Sequence, residues 1–145
     1  MFKGPPCRYT TPVQGLAKED VEVVAKLGCQ SVACDKKDLI PAAVDAAKKA
    51  DATVIVAGLD CDNFEGEERD RSTLLLPGFQ TELIQRVAEA SKGPVVLVVM
   101  SGGGVDITFA QNNPKIGAIL WAGYPGEEGG QAIADIVFGR YNPGK

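Results

Sequence analysis

Apolar residues are grouped along the chain in blocks whose lengths match strands and helices in turn. Thr53–Gly58 (TVIVAG) is a run rich in β-forming residues. Val95–Met100 (VVLVVM) is continuously apolar and predicts a strand buried on both faces, and Ile116–Trp121 (IGAILW) predicts a third buried strand. Val21–Ala25 is a weaker strand candidate. No apolar run approaches the roughly 20 residues needed to cross a bilayer, so no membrane span is expected.

Helical periodicity appears between these runs. From Asp38 onward apolar residues recur at three- and four-residue intervals, with Asp38 as a candidate cap and Pro41 in the first turn. A second apolar stripe begins at Phe79 and stops at the helix-ending signal Lys92–Pro94. A short helical turn is expected near Asp106–Gln111. Each of the last two strands is therefore preceded by a helical segment.

The last helix is predicted to carry Glu127 and Glu128 in its first turn and to end at Gly139. Apolar strands that alternate with helices are typical of a parallel sheet between helical layers. The predicted fold class is α/β, with an open, mainly parallel, doubly wound sheet flanked by helices on both faces. The chain has 145 residues, which fits one domain. Both ends look truncated, because the first segment is rich in Gly and Pro and the chain stops at Asn142–Lys145.

Composition excludes several classes of function. The chain has no histidine, which excludes a Ser-His-Asp triad, a Cys-His dyad and a His-ligated zinc. Its net charge of −4 argues against nucleic-acid binding, which draws affinity from clustered Lys and Arg. The N-terminal residues contain no apolar stretch of the kind found in secretory signals.

The four cysteines, Cys7, Cys29, Cys34 and Cys61, form no CxxC pair, so neither a zinc ribbon nor a thioredoxin-type site is predicted. Their disulfide state is open at this stage. Two of Cys7, Cys29 and Cys34 are bridged if the protein is secreted, whereas all are buried thiols if it is cytosolic.

Ligands of open α/β sheets bind beyond the carboxyl ends of the strands, and the longest such segment here is residues 59–78, which we call the acid loop. It contains six acidic residues and two arginines between Asp60 and Arg71, and so holds all of the net charge of −4. Crowded carboxylates raise the proton affinity of at least one of them, which is the condition for a general acid near neutral pH; the alternative is a solvated loop that merely collects acids. Its Asp60-x-Asp62-Asn63 start lacks the later ligands of a calcium loop, so no metal site is predicted.

A second segment at this edge is Ser101–Gly104 (SGGG), which we call the glycine loop. Its backbone amides are able to bind an anion, but no GxGxxG or Walker pattern accompanies them. A tight turn from strand to helix is the favoured interpretation.

The order of several motifs resembles a known family. The runs Ala52–Asp60 (ATVIVAGLD), Glu65–Arg71 (EGEERDR) and Leu74–Gln80 (LLLPGFQ) are followed by Gly93–Gly103 and Ile116–Gly126. In this order they resemble the C-terminal α/β-sandwich domain of glycoside hydrolase family 3, in its plant β-D-xylosidase/α-L-arabinofuranosidase branch. The resemblance covers nearly the whole chain.

Members of this family are retaining glycosidases, and the resemblance implies specific roles for the acid loop. The glutamate three residues before the Asp of the Glu-x-Glu-x-x-Asp-Arg pattern is expected to be the general acid/base, which here is Glu67, with Glu65 as the second candidate. Glu65, Asp70 and Arg71 are also expected to support the loop or bind substrate. The implied substrate is a pentose-containing oligosaccharide or polysaccharide of the plant cell wall, with an extracellular or cell-wall location and no cofactor.

The same resemblance implies that residues 1–145 are a single sandwich domain, separated from its family's barrel and fibronectin-like domains. The barrel supplies the nucleophile, so the chain alone is expected to hydrolyse nothing efficiently, and the barrel domain is its implied partner. Two alternatives stay open. One is a non-catalytic module that binds carbohydrate or a partner, and the other is a flavodoxin-like cofactor or redox module.

Overall fold

A computed structural model describes residues 7–68 and 70–143 of the chain. Residues 1–6, where the sequence shows no secretory signal, lie outside the described residues, as do Arg69 of the acid loop and residues 144–145 at the C-terminus. The chain divides into two compact units. The described part of the first is Lys26–Gly123, and that of the second is residues 7–25 and 124–143.

The first unit is built on a parallel sheet of three strands in the order β1-β2-β3, which are Thr53–Gly58, Val95–Met100 and Ile116–Trp121. Strand β1 pairs with β2 in unbroken register from Thr53 opposite Val95 to Gly58 opposite Met100. The pairing of β2 with β3 shifts by one residue after its first pair, next to Gly117. All three strands therefore end at one edge of the sheet, from which the following loops emerge.

Three helices of this unit share one core with the sheet. They are α2 (Ile40–Ala47), α3 (Gln80–Ala90) and α4 (Thr108–Gln111). The core is formed by alternate strand residues, by one stripe of the helices and by one leucine of the acid loop: Ile40, Ala47, Ile55, Leu76, Leu83, Ile84, Val87, Ala88, Val95, Leu97, Val99 and Ala110. Burial of such side chains stabilises a fold by about 1.5–3 kcal/mol each. This core fixes the sheet edge that carries the two loops.

The second unit pairs α1 (Pro12–Leu16) with α5 (Gly129–Val137) at very short range. Thr11 caps α1, with its hydroxyl accepting from the Gln14 amide, and the Gln14 side chain accepts from the Thr11 amide in return. A Cβ at Gly15 would lie 2.0 Å from the carbonyl oxygen of Gly130, so both positions need glycine. No helix among the described residues is long and apolar enough to span a membrane.

The α/β class with a parallel sheet is confirmed, and all three strong strand predictions match the observed bounds. The burial predicted for Ile116–Trp121 is wrong. Among the described residues β3 pairs with β2 alone, so its position is at an edge, and Trp121 is 61% exposed. An apolar composition cannot distinguish an edge strand from a central one.

Three smaller predictions also fail. Val21–Ala25 forms no strand. Asp38 does not cap α2, because its carboxylate accepts a hydrogen bond from Gln30 at 2.6 Å and the helix starts after Leu39 without a side-chain cap. The last helix begins at Gly129, which leaves both predicted glutamates ahead of its first turn, whereas Gly139 follows its end with φ of 73°.

The cysteine alternatives are settled in favour of one bridge. Cys29 and Cys34 form a disulfide in the segment before α2, while Cys7 and Cys61 are thiols. The Cys34 carbonyl accepts from the Phe79 amide at 2.8 Å, and a Cβ on Gly78 would lie 2.1 Å from the Ala33 carbonyl oxygen. The cross-linked segment therefore packs directly on the start of α3.

Candidate functional site

The site begins where β1 and β2 end side by side. The Leu59 amide donates to the Met100 carbonyl at 2.8 Å, which joins the first residue of the acid loop to the last residue of β2. Buried Gln80 lies at the other end of the loop. Its side-chain oxygen accepts from the Gly58 amide at 2.9 Å, and its amide nitrogen donates to the Gly58 and Val32 carbonyls at 2.8 and 2.7 Å. One side chain thus ties the end of the acid loop to its beginning.

The first turn of the acid loop is organised by Asp60. Its carboxylate accepts from the backbone amide of Asn63 at 2.7 Å and from the Asn63 side chain at 2.9 Å. The Asp60 carbonyl accepts from the amides of Phe64 and Glu65. The Asp-x-Asp-Asn pattern is therefore a turn motif. No group of three or more Cys, Asp or Glu side chains within 7–68 and 70–143 is arranged to hold a metal ion.

Glu65 is docked on the glycine loop. One carboxylate oxygen accepts from the Gly102 amide at 2.7 Å and the other from the Gly103 amide at 2.9 Å. The side chain is 13% exposed. The glycine loop does bind an anion through its amides, and that anion is a side chain of the same chain rather than a separate ligand. The tight turn that the sequence favours at this position is therefore also the binding site of a carboxylate.

Arg71 holds the same junction from the acid-loop side. Its guanidinium donates to Glu65 at 3.3 Å and to the carbonyls of Gly104 at 2.9 Å and Thr73 at 3.4 Å. Like its partner it is largely buried, at 15% exposed. These are the contacts that a loop-supporting role requires.

Glu67 lies two residues further along the loop in a different environment. It is exposed, and within 7–68 and 70–143 no hydrogen bond or ion pair holds its carboxyl group. The next residue, Glu68, has a φ of 63°, in the left-handed region that residues other than glycine rarely adopt. Such conformations cluster at functional sites, where surrounding contacts hold them.

Asp70 lies beside an open cavity of about 420 Å³ whose lining also includes Glu65, Arg71 and Ser72–Leu74. The Asp70 side chain is exposed and makes no ion pair with the residues that the structure describes. Leu74, which lines the same cavity, is fixed because its carbonyl accepts a hydrogen bond from the Asp106 amide at 2.8 Å. Hydrogen bonds from the Thr108 hydroxyl and backbone amide hold the pKa of Asp106 below its usual value.

The structure adds two residues that sequence analysis did not assign to the site. Ser101, fully buried, starts the glycine loop, and Trp121 ends β3 beside it. The indole nitrogen of Trp121 donates to both the carbonyl and the hydroxyl of Ser101, each at 3.1 Å. The sequence does contain a sign of both residues. Ser101 is a polar residue directly after an apolar strand, and Trp121, the only tryptophan of the chain, is the last residue of another.

Comparison with known proteins places these motifs in a family. Residues 2–145 match the model of the glycosyl hydrolase family 3 C-terminal domain. Beta-D-xylosidase 3 of Arabidopsis thaliana is 59% identical over 98% of the chain, and beta-xylosidase/alpha-L-arabinofuranosidase 1 of Medicago sativa subsp. varia is 52% identical over 98%. The chain spans 18% of the length of each of these relatives.

Among solved structures, the GH3 exo-beta-xylosidase XlnD, in complex with a xylobiose aziridine activity-based probe, superposes with a TM-score of 0.88 at 34% identity. The match covers 94% of this chain and 17% of that one. The chain therefore belongs to glycoside hydrolase family 3 and matches the C-terminal domain of that family.

Proposed function

We propose that this chain is the acid/base-bearing domain of a retaining glycoside hydrolase that acts on pentosides of the plant cell wall, with Glu67 as the general acid/base. The observation that carries the proposal is the contrast between two glutamates of one loop. Glu65 is fixed by two backbone amides and Arg71, whereas the Glu67 carboxyl group is exposed.

A general acid must deliver a proton to the leaving oxygen and later remove one from water. Hydrogen bonds donated to a carboxylate favour its charged form, and they occupy the lone pairs that a proton would use. Three donors face the two oxygens of Glu65, so this group is suited to holding the loop. Glu67 is able to reach a substrate, and it also occupies the position that the family resemblance implies.

Retention needs a second carboxyl group about 5–5.5 Å from the first, which attacks the anomeric carbon. By family resemblance this nucleophile comes from a barrel domain, which is the partner that we propose for the chain. We propose that this partner docks at the open cavity beside Asp70 and Arg71. The chain alone is then expected to have no efficient turnover.

The relatives support the substrate class and the location. The plant relatives are named as β-xylosidases or as bifunctional β-xylosidase/α-L-arabinofuranosidases, and the structural relative binds a xylobiose-derived probe. We therefore propose terminal xylosyl or arabinofuranosyl groups of wall polysaccharides as substrates, and the extracellular space or cell wall as the location.

The test is hydrolysis of aryl β-xylosides and α-L-arabinofuranosides by the chain, alone and mixed with a family barrel domain. Activity is expected only in the mixture. Glu67→Ala should lower kcat by about 10²–10⁴-fold for a poor leaving group, since this is the usual contribution of a general acid, and less for an activated one that needs no proton.

Azide provides the decisive control. It attacks the covalent glycosyl-enzyme without needing a base, displaces the nucleophile carboxylate and yields a glycosyl azide. With an activated aryl leaving group, for which this second step limits the rate, azide should therefore restore turnover to Glu67→Ala. Rescue of Glu65→Ala instead would move the acid/base role to Glu65. A Glu67→Ala variant with unchanged turnover, or hydrolysis by the chain alone, would overturn the proposal; binding of xylo-oligosaccharide without turnover in the mixture would favour the non-catalytic module.

A further inference from the structure

Ser101 occupies the junction between β2 and the glycine loop, and its hydroxyl is bonded on both sides. It donates to the Gly103 carbonyl at 2.7 Å and accepts from the indole nitrogen of Trp121 at 3.1 Å. The residue has no exposed surface. The Ser101 hydroxyl therefore links the glycine loop to the last residue of β3.

Gly103 is the residue at which this network meets the acid loop. Its carbonyl accepts from Ser101, while its amide donates to Glu65 at 2.9 Å. A Cβ on Gly103 would stand 3.0 Å from the nearer Glu65 oxygen and 3.4 Å from Arg71, so the fit is close. A continuous series of hydrogen bonds runs from Trp121 through Ser101 and Gly103 to Glu65.

Such a series is needed because the glycine loop does not fix itself. Three successive glycines have wide conformational freedom, and two amides bind one carboxylate only when both N–H bonds converge on it. The Ser101 hydroxyl bonds the Gly103 carbonyl, which belongs to the peptide that follows the Gly103 amide, and so restrains the backbone on the other side of the Gly103 Cα. Trp121 in turn orients that hydroxyl, because an indole N–H is only a donor and the hydroxyl must then direct its own proton to Gly103.

We propose that Ser101 and Trp121 are positioning residues of the acid/base site, which aim the Gly102 and Gly103 amides at Glu65 and so set the place of Glu67 on the acid loop. The part that concerns Glu67 rests on the proposed function. The part that concerns the glycine loop does not, since it describes contacts of this chain alone. The two parts therefore need separate readouts.

The first readout requires no activity. Trp121 is the only tryptophan of the chain, so its emission reports on this network alone. Ser101→Ala and Glu65→Gln should each shift the Trp121 emission and speed exchange of the Gly102 and Gly103 amides by about tenfold, as expected for loss of one ordinary hydrogen bond. Glu67→Gln is the matched control, with the same chemical change two residues away, and should alter neither.

The second readout is catalysis in the mixture with a barrel domain. Ser101→Ala should lower kcat about tenfold with little change in KM, keep the pH profile of the unsubstituted protein and show no rescue by azide. Ser101→Thr retains the hydroxyl and should restore the rate. Trp121→Phe, which removes the other donor of the series, should act like Ser101→Ala even if threonine is too large for the buried site.

The outcomes separate the two proposals. Unchanged emission and amide exchange in both Ser101→Ala and Glu65→Gln would overturn the positioning role, whatever Glu67 does. Normal kcat in Ser101→Ala and Trp121→Phe would overturn it too. If the exchange rates respond as expected but azide fails to rescue Glu67→Ala, the network stands as a support of the loop and the acid/base assignment of Glu67 fails.

Discussion

Two of the ion pairs between a glutamate and an arginine lie in different surroundings. One joins Glu65 to Arg71 in the first unit, and the other joins Glu19 to Arg140 in the second. Glu65 and Arg71 are 13% and 15% exposed, and backbone groups of the glycine loop contact both. In the second unit Glu19 is also 13% exposed, but Arg140 is 47% exposed and is shared between the carboxylates of Glu19 and Asp135. Backbone groups therefore hold both members of the first pair, whereas the second pair is part of a surface cluster around the half-exposed Arg140, which dissolved ions screen more readily.

This contrast indicates which pair sets geometry. A buried pair with backbone partners is costly to break, because removing one member leaves the others without hydrogen bonds. A surface pair exchanges its partners for water at little cost. The acid loop is thus held by the more demanding of the two arrangements, which suits a loop that must keep a reacting group in place.

The largest effect is expected from breaking the buried pair. Glu65→Gln places an NH₂ group against N–H donors and leaves Arg71 without its carboxylate, so we expect a loss of about 2–3 kcal/mol in the free energy of unfolding. Urea denaturation followed by circular dichroism measures it. Glu67→Gln should stay within about 0.5 kcal/mol of the unsubstituted protein. Equal losses in the two variants would contradict the structural distinction between these glutamates.

A smaller effect is expected from crowding the same carboxylate. The Cβ of Gly103→Ala would lie 3.0 Å from Glu65, which must shift by a few tenths of an ångström, at a cost of about 1 kcal/mol. Gly104→Ala is the matched control, because no atom of the residues that the structure describes lies within 4 Å of its Cβ. Thermal unfolding of both variants compares them directly, and a Gly104→Ala protein that is the less stable of the two would be incompatible with the described packing.

The smallest effect is expected from titrating the surface cluster. Hydrogen bonds from Arg140 lower the pKa of Glu19 from its ordinary 4.5, and those from Gln131 and Arg140 lower the pKa of Asp135 from 3.8. The stability that Glu19 contributes is therefore complete above pH 4.5 and is lost as the pH falls through its lowered pKa in the folded protein. The difference in melting temperature between the unsubstituted protein and Glu19→Gln should shrink between pH 6 and pH 3 and also in 1 M NaCl. A difference that persists under both conditions would show that screening and protonation do not control this pair.

Much of the frame was predictable from sequence, because each strand is a continuous apolar run and each run has the length of one strand. Val95–Met100 pairs on both sides and is buried as its composition predicts. Ile116–Trp121 has the same kind of composition, but of the strands that the structure describes it pairs with β2 alone, so its exposure depends on neighbours that its own residues do not encode. The prediction that Asp38 caps α2 is wrong for a related reason, since its carboxylate accepts a hydrogen bond from the Gln30 side chain instead.

The candidate site was predictable only in part. The charge of the acid loop located it, and the family pattern singled out Glu67, whose role stays a prediction. The docking of Glu65 on the glycine loop joins residues 37 and 38 positions apart in the chain, and no local pattern records such a pairing. The same holds for Trp121, whose bond to Ser101 depends on two strands that end side by side.

The contacts of Gln80 affect which changes in length the acid loop is able to tolerate. Because its side chain binds both backbone groups of Gly58, the two ends of the acid loop are clasped by one residue of the frame, independently of what lies between them. Loop-closure entropy rises by only about 0.6 kcal/mol when a flexible loop doubles in length. Leu59 and Leu76 of this segment are buried, so we expect that a loop of another length closes between the same two anchor points at little entropic cost if it keeps these two leucines.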